Sequence, residues 1–284
     1  MTRSGSFATS FAGGSARGAA SDARDLARNS VFERLARAGF VMAGVVHILV
    51  GYIAVRLAFG GGGGTADQSG AMAELASKPG GGVALWIGAV AFAMLALWRL
   101  VEAVLGRSAD SGETDTKKVV FHRAKSFGEA VLYAVLAFSA VGFARGSGSS
   151  GGQRSTTLTA RLMENTAGTI LLVLVGLAIV GVGGYYVYKG ATAKFTKDLD
   201  ASAGTFARRV GIVGYVAKGL ALGAVGALVI VATTRSEPDK ASGLDGALKT
   251  LGAQPYGQFL LVAAAVGIAT YGVYNLIRAR HAKM

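Results

Sequence analysis

The run Ala38–Val55, AGFVMAGVVHILVGYIAV, carries no formal charge over eighteen residues, and five comparable runs follow it. A bilayer core about 30 Å thick needs roughly 20 helical residues at about 1.5 Å each. Segments near 36–59, 82–105, 124–144, 167–190, 210–234 and 257–279 meet that requirement. Their backbone groups find no water in lipid, and the runs lack the alternation of barrel strands, so each is expected as a transmembrane helix. The 284 residues therefore set a number of spans rather than a number of soluble domains. An apolar fraction of 52% with 16% charged residues agrees with the membrane class.

The charges that remain are arranged by side. Of 29 lysines and arginines, twenty fall in the tail before the first span, in alternate loops and at the C-terminus. Seven fall in the other loops, leaving Arg56 and Lys218 inside spans. This asymmetry predicts cytoplasmic N- and C-termini in a bacterial plasma (inner) membrane. It also accounts for the net charge of +13, which in a soluble chain would point to nucleic acid. Here the basic residues flank apolar runs instead of interleaving with aromatics, so no nucleic-acid partner is expected. The absence of cysteine excludes disulfides, thiolate metal sites and a cysteine nucleophile.

The opening segment, residues 1–34, reads as a disordered or interfacial cytoplasmic tail without the apolar core of a secretory signal. The non-cytoplasmic connections share a plan. Each begins with a flexible or charged stretch and ends in a short helical piece, with Leu75, Leu162 and Leu251 at equivalent places. Pro79 and Pro255 mark the turn back into the bilayer. The Gly60–Gly64 run lacks the lysine, hydroxyl residue and helix start of a phosphate loop, so it reads as a linker.

Shifting the chain by 86 or 87 residues, and again by 175 or 176, superposes three two-helix units. Gly39, Phe40 and Gly44 fall on Gly214, Tyr215 and Gly219, while Trp98–Ala103 falls on Tyr185–Gly190 and on Tyr274–Ala279. The chain thus divides into the tail and repeats over 35–106, 107–190 and 191–284. Each repeat begins and ends on one side, so the copies are parallel, and a pseudo-threefold bundle of three hairpins is the simplest all-α arrangement. The entrance motif Gly39/Phe40/Gly44, its fuller form Gly214-Tyr215-Val216-Ala217-Lys218-Gly219, and the exit Tyr271-Gly272-Val273-Tyr274 with Arg278-Ala279 resemble the bacterial "domain of unknown function 1206" membrane family. The resemblance covers about residues 33 to 280 and implies three tandem two-helix units. It brings no activity and no functional residue.

Four intramembrane polar residues are the candidates for chemistry. Ala43, Glu129 and Lys218 share one repeat position, and a Glu129–Lys218 pair would relieve the cost of a lysine in the bilayer, on the order of 2–3 kcal/mol. Lys218 snorkelling to the interface is the competing account. One turn deeper, His47, Tyr133 and Leu222 share a position, where His47 is expected to bond Tyr133 or a backbone carbonyl. At the cytoplasmic exits Glu102, Lys189 and Arg278 coincide, suggesting an ion-pair ring or lipid contacts. Trp98, Tyr185, Tyr186, Tyr188, Tyr271 and Tyr274 gather at that level as an aromatic belt, with Trp86 near the opposite face. Gly211, Gly214, Gly219, Gly223 and Gly226 make the fifth span a close-packing helix.

No catalytic set, nucleotide loop, cofactor or metal site is expected from these residues. The reading is a non-enzymatic structural or accessory protein whose partners are the lipid bilayer and another membrane complex, with its oligomeric state open. The alternative is a transporter or pore for small solutes, ions or protons. A third reading is a quinone- or haem-associated electron-transfer accessory.

Overall fold

The computed structural model describes residues 30–61, 64–105 and 116–282. The expected tail up to residue 29 and part of the Gly60–Gly64 linker lie outside the described residues. Nine α-helices run through the described chain: α1 Ser30–Ala58, α2 Gln68–Ala76, α3 Gly81–Leu105, α4 Thr116–Ala144, α5 Gly151–Met163, α6 Thr166–Ala191, α7 Gly204–Thr234, α8 Gly243–Gly252 and α9 Gly257–His281. Six of them, α1, α3, α4, α6, α7 and α9, are long and apolar enough to cross a bilayer. Extended pairing among the described residues is limited to one isolated bridge, Leu199 with Ala282. The protein is an all-α, multi-pass membrane protein.

The helices overrun the apolar runs where no residue stops them. α4 begins at Thr116 because KKVVFHRAK contains neither proline nor glycine, and α7 begins at Gly204, six residues before the expected start of its span. The short helices α2, α5 and α8 occupy the three connections expected to hold helical pieces. Side chains cap the starts of two helices at these connections. Asp67 caps α2 by accepting from Gly70 N at 2.8 Å, and Asn165 caps α6 by accepting from Gly168 N at 2.8 Å.

The first span of every repeat ends in the same backbone device. Gly60, Gly146 and Ser236, spaced by the repeat shift, all take left-handed φ, at 76°, 75° and 55°. The turn back also recurs: Gly80 after Pro79 and Tyr256 after Pro255 have φ of 75° and 61°.

The chain divides into two compact units. The smaller contains the start of α1 up to Gly39 together with Val90–Ala137, and the larger contains Phe40–Ala89 with Phe138–Met284. In the smaller unit Gly39 lies against Leu95, where an added Cβ would come within 3.0 Å of the leucine Cβ. In the larger unit glycines bring three helix pairs into backbone contact. A Cβ on Gly219 of α7 would sit 2.6 Å from Gly183 O of α6, and one on Gly214 of α7 would sit 2.7 Å from Tyr271 Cα of α9. On the other flank of α9, a Cβ on Gly272 would sit 2.7 Å from Gly44 O of α1. Lipid offers no hydrophobic drive for helix association, so close packing of this kind is what holds spans together.

Candidate functional site

The polar side chains of the spans gather where the first span of one repeat meets the second span of the repeat before it. That pairing occurs three times: α4 on α3 within the smaller unit, and α7 on α6 and α1 on α9 within the larger. Two tiers of contacts recur along these pairs.

In the tier at the helix ends, the residues expected as an ion-pair ring each reach the entrance of the next repeat. Glu102 accepts from Ser126 Oγ at 3.3 Å, Lys189 Nζ lies 5.3 Å from the Tyr215 ring, and the Arg278 guanidinium lies 4.4 Å from the Phe40 ring. Phe40, Ser126 and Tyr215 are themselves repeat equivalents. Each of the three residues thus contacts an unlike position, at the entrance of the next repeat. Glu102 is also bridged by Arg99 at 2.5 Å, and Lys189 by Asp198 at 2.6 Å.

One turn further in, Glu129 meets Arg99 at 2.9 Å and Lys125 at 3.7 Å. Lys218 Nζ donates to the Tyr271 hydroxyl at 3.1 Å and stands 4.2 Å and 5.1 Å from the centres of the Tyr271 and Tyr186 rings. Arg99 and Tyr186 are repeat equivalents, so the contacts Glu129–Arg99 and Lys218–Tyr186 are one contact with its chemistry changed. Each of these interfaces, the one in the smaller unit and the one in the larger, joins a helix end to an entrance and so pairs unlike repeat positions. Lysine over an aromatic face is a substitute for a counter-ion where a carboxylate is missing.

The depth of Lys218 follows from its neighbours. Gly190, next to the end of α6, abuts Tyr215. Lys218 is three residues further along α7, about 4.5 Å inward at a helical rise. It thus lies within one turn of the level at which α6 ends.

His47 Nδ1 is 2.7 Å from Ala43 O, the backbone alternative among its expected partners. Its ring meets Tyr271 edge-on at 5.0 Å. Tyr133 stacks on Phe92 with ring centres 6.2 Å apart. The expected aromatic belt divides. Tyr188 is exposed, whereas Tyr271 and Tyr274 are 4% and 0% exposed and form a core with Tyr215 and Phe195. Phe195 comes from the short turn Lys194–Asp198 between α6 and α7, stacks on Tyr215 at 4.9 Å, and fills the space beside Gly211 that a side chain there would need.

A third tier joins the connections, all within the larger unit. Ser69 Oγ accepts from Gly151 N at 2.8 Å, Ser155 Oγ donates to Ala241 O at 2.6 Å, and Asp245 Oδ1 accepts from Ala66 N at 2.8 Å. Ser69, Ser155 and Asp245 are repeat equivalents. Each binds the start of the next repeat's connection, so repeat one holds two, two holds three and three holds one. Among the described residues no cluster of three or more histidine, aspartate or glutamate side chains is placed to hold a metal ion.

The threefold recurrence has a counterpart in other sequences. The family model described as Domain of Unknown Function (DUF1206) matches three times, at residues 38–106, 124–193 and 213–282. The chain belongs to the DUF1206 family. Its matched segments coincide with the three pairs of spans, and the tiers described above join one DUF1206 segment to the next. Among curated proteins it is similar to the uncharacterized protein YxxB of Bacillus subtilis (strain 168), with 28% identity over 251 residues, covering 87% of this chain and 90% of that protein. No solved structure matches.

Sequence reasoning compared equivalent positions with one another and so missed Ser126, Phe40 and Arg99 as partners. The signal was available: displacing one copy against the next, end against entrance, pairs Glu102 with Ser126 and Arg278 with Phe40. Asp198 and Phe195 lie in a linker with no repeat counterpart, and nothing in the spacing marked them.

Proposed function

We propose that this DUF1206 protein is a non-enzymatic accessory component of a bacterial plasma membrane, with both termini cytoplasmic, that works through its apolar outer faces. One observation carries this reading. The charged and titratable side chains of the spans are engaged by groups of the same chain, as in Arg99 with Glu102 and Glu129, and Lys218 with Tyr271 and Tyr186. What the spans offer outward is apolar: only 17% of the apolar window of α4 and of α6 is buried, against 56% for α1. Phe127, Val131, Val135 and Phe138 on α4 are all more than half exposed or close to it. Such faces suit lipid or the spans of another membrane protein.

The test is isolation from native membranes in two unrelated mild detergents. The expected result is a fixed stoichiometry with one membrane complex or with tightly held lipid in both. Material that always runs alone and stripped of lipid removes the support for this reading.

Transport of a small ion or proton is the second reading, favoured by the shared contact of Lys218 and His47 with Tyr271. Flux in proteoliposomes that falls in Lys218→Ala would establish it and displace the first.

A further inference from the structure

The three connection helices are built alike but differ in the face they leave open. On α5 the side toward the other connections is small, with Gly152 and Thr159 buried. The opposite side bears Arg154 and Arg161, seven residues apart and hence two helical turns along one face. With Ser149, Gln153, Thr157 and Leu158 they line a shallow, open cleft along the face of α5. None of the six lining residues is acidic. Arg154 Nε donates to Ser149 Oγ at 2.6 Å, which ties that guanidinium to another residue of the lining. With Ser69, Ser155 and Asp245 as equivalents, the other copies have Gln68 and Leu244 where α5 has Arg154, and neither α2 nor α8 contains an arginine. The basic face is thus particular to the middle repeat.

What lies next to it in the chain is apolar. Arg161 is five residues before Thr166, where α6 begins, and the first turns of α6 expose Ile170, Leu171, Leu174 and Leu177 at 49–58%. Leu158, in the cleft itself, is 59% exposed. A paired cationic head next to an open apolar stripe is the complement of one amphiphile: an anionic head group carrying acyl chains. Two guanidiniums can each give forked hydrogen bonds to phosphate oxygens, and threonine, glutamine and serine can bind the polar remainder of a head group.

We infer that the α5 cleft is a binding site for an anionic phospholipid, its phosphate held by Arg154 and Arg161 and its chains lying along α6. This deepens the accessory reading by naming a lipid class. The two fail separately, since isolation with a protein complex does not depend on this cleft.

The test is thermal unfolding of the purified full-length protein in detergent with added phosphatidylglycerol, phosphatidylcholine or inorganic phosphate. Phosphatidylglycerol at about a hundredfold excess over Kd is expected to raise the midpoint by roughly 5–10 °C. Phosphatidylcholine should not. The variant R154Q/R161Q should keep its unliganded midpoint, because both side chains are exposed, and lose most of the shift, while R154K/R161K retains part of it. R208Q/R209Q, at exposed arginines on α7, should keep the full shift. No shift, an equal shift with phosphatidylcholine, or an undiminished shift in R154Q/R161Q overturns the inference. A shift reproduced by inorganic phosphate alone overturns the lipid assignment in favour of a free anion.

Discussion

At the scale of single residues, the span charges are costly unless paired, and their pairing makes predictions. Arg99 has 8% of its side chain exposed and serves both Glu102 and Glu129. Replacing Arg99 with methionine leaves two carboxylates without that partner, and a loss of about 3 kcal/mol is expected. Removing Glu129 as well should cost much less than the two single changes combined, which a double-mutant cycle of detergent unfolding can measure. Ser236 stands in left-handed backbone where its repeat equivalents are glycine. Ser236→Gly should therefore stabilise by about 0.5–1 kcal/mol, and Gly146→Ser should destabilise by a similar amount. Just past the end of α2, Lys78 beside Glu74 at 2.9 Å, through its hydrogen bond and its charge, holds the Glu74 carboxyl below its ordinary range, with a smaller contribution from Arg56. A depressed carboxylate contributes stability that is present above its unfolded pKa and lost as pH falls through the folded value. The pair is open to water on the lysine side, with Lys78 60% and Glu74 23% exposed, so solvent screens it and the effect belongs to the titration of Glu74 and not to the stability of the fold. Carboxyl NMR should show its midpoint below that of a free glutamate, moving back up in Lys78→Ala.

At the scale of elements, the glycines of α7 are not interchangeable. Gly219 and Gly183 each stand where a Cβ on one would meet the carbonyl oxygen of the other, at 2.6 and 2.7 Å. A Cβ on Gly223 meets nothing within 4 Å. Gly219→Leu should separate α6 from α7, abolishing a monodisperse gel-filtration peak, whereas Gly223→Ala should be tolerated and gain slightly in helix propensity. A spacing of four residues alone would have ranked the two alike. The linker between α6 and α7 acts as an element in its own right. Phe195 is fully buried, and the Asp200 amide donates to His281 O at 2.9 Å, which ties the linker to the end of α9.

At the scale of the whole molecule, the contacts at the helix ends and between the connections pass from each repeat to the next in one direction, and the tier one turn further in does so from the first repeat to the second and from the second to the third. The connections show it most compactly, since Ser69, Ser155 and Asp245 make the same link with different side-chain chemistry. Asp245 also pairs with Lys249 at 2.7 Å and is 5% exposed. Asp245→Ala leaves the buried Ala66 amide without its acceptor, at a cost of about 1–3 kcal/mol. Limited proteolysis should then cut the connections sooner than in the unaltered protein, with the spans still intact.

The sequence by itself determined the spans, their number, the threefold repeat and the short connection helices. Each of these depends on the identity of residues along one segment: a run without charge, a period, a proline before a turn. It also placed Lys218, Glu129 and His47 within spans, because a charged or titratable residue in an apolar run is visible without any neighbour. Only the tertiary structure decided what those residues touch. Glu129 meets Arg99, Lys218 meets Tyr271 and Tyr186, and Tyr271 and Tyr274 sit in a core and not in a belt. The physical reason is that repeats packed head to tail join unlike surfaces. A position's partner is then found at the other end of the neighbouring copy, and which copy is the neighbour is settled by packing.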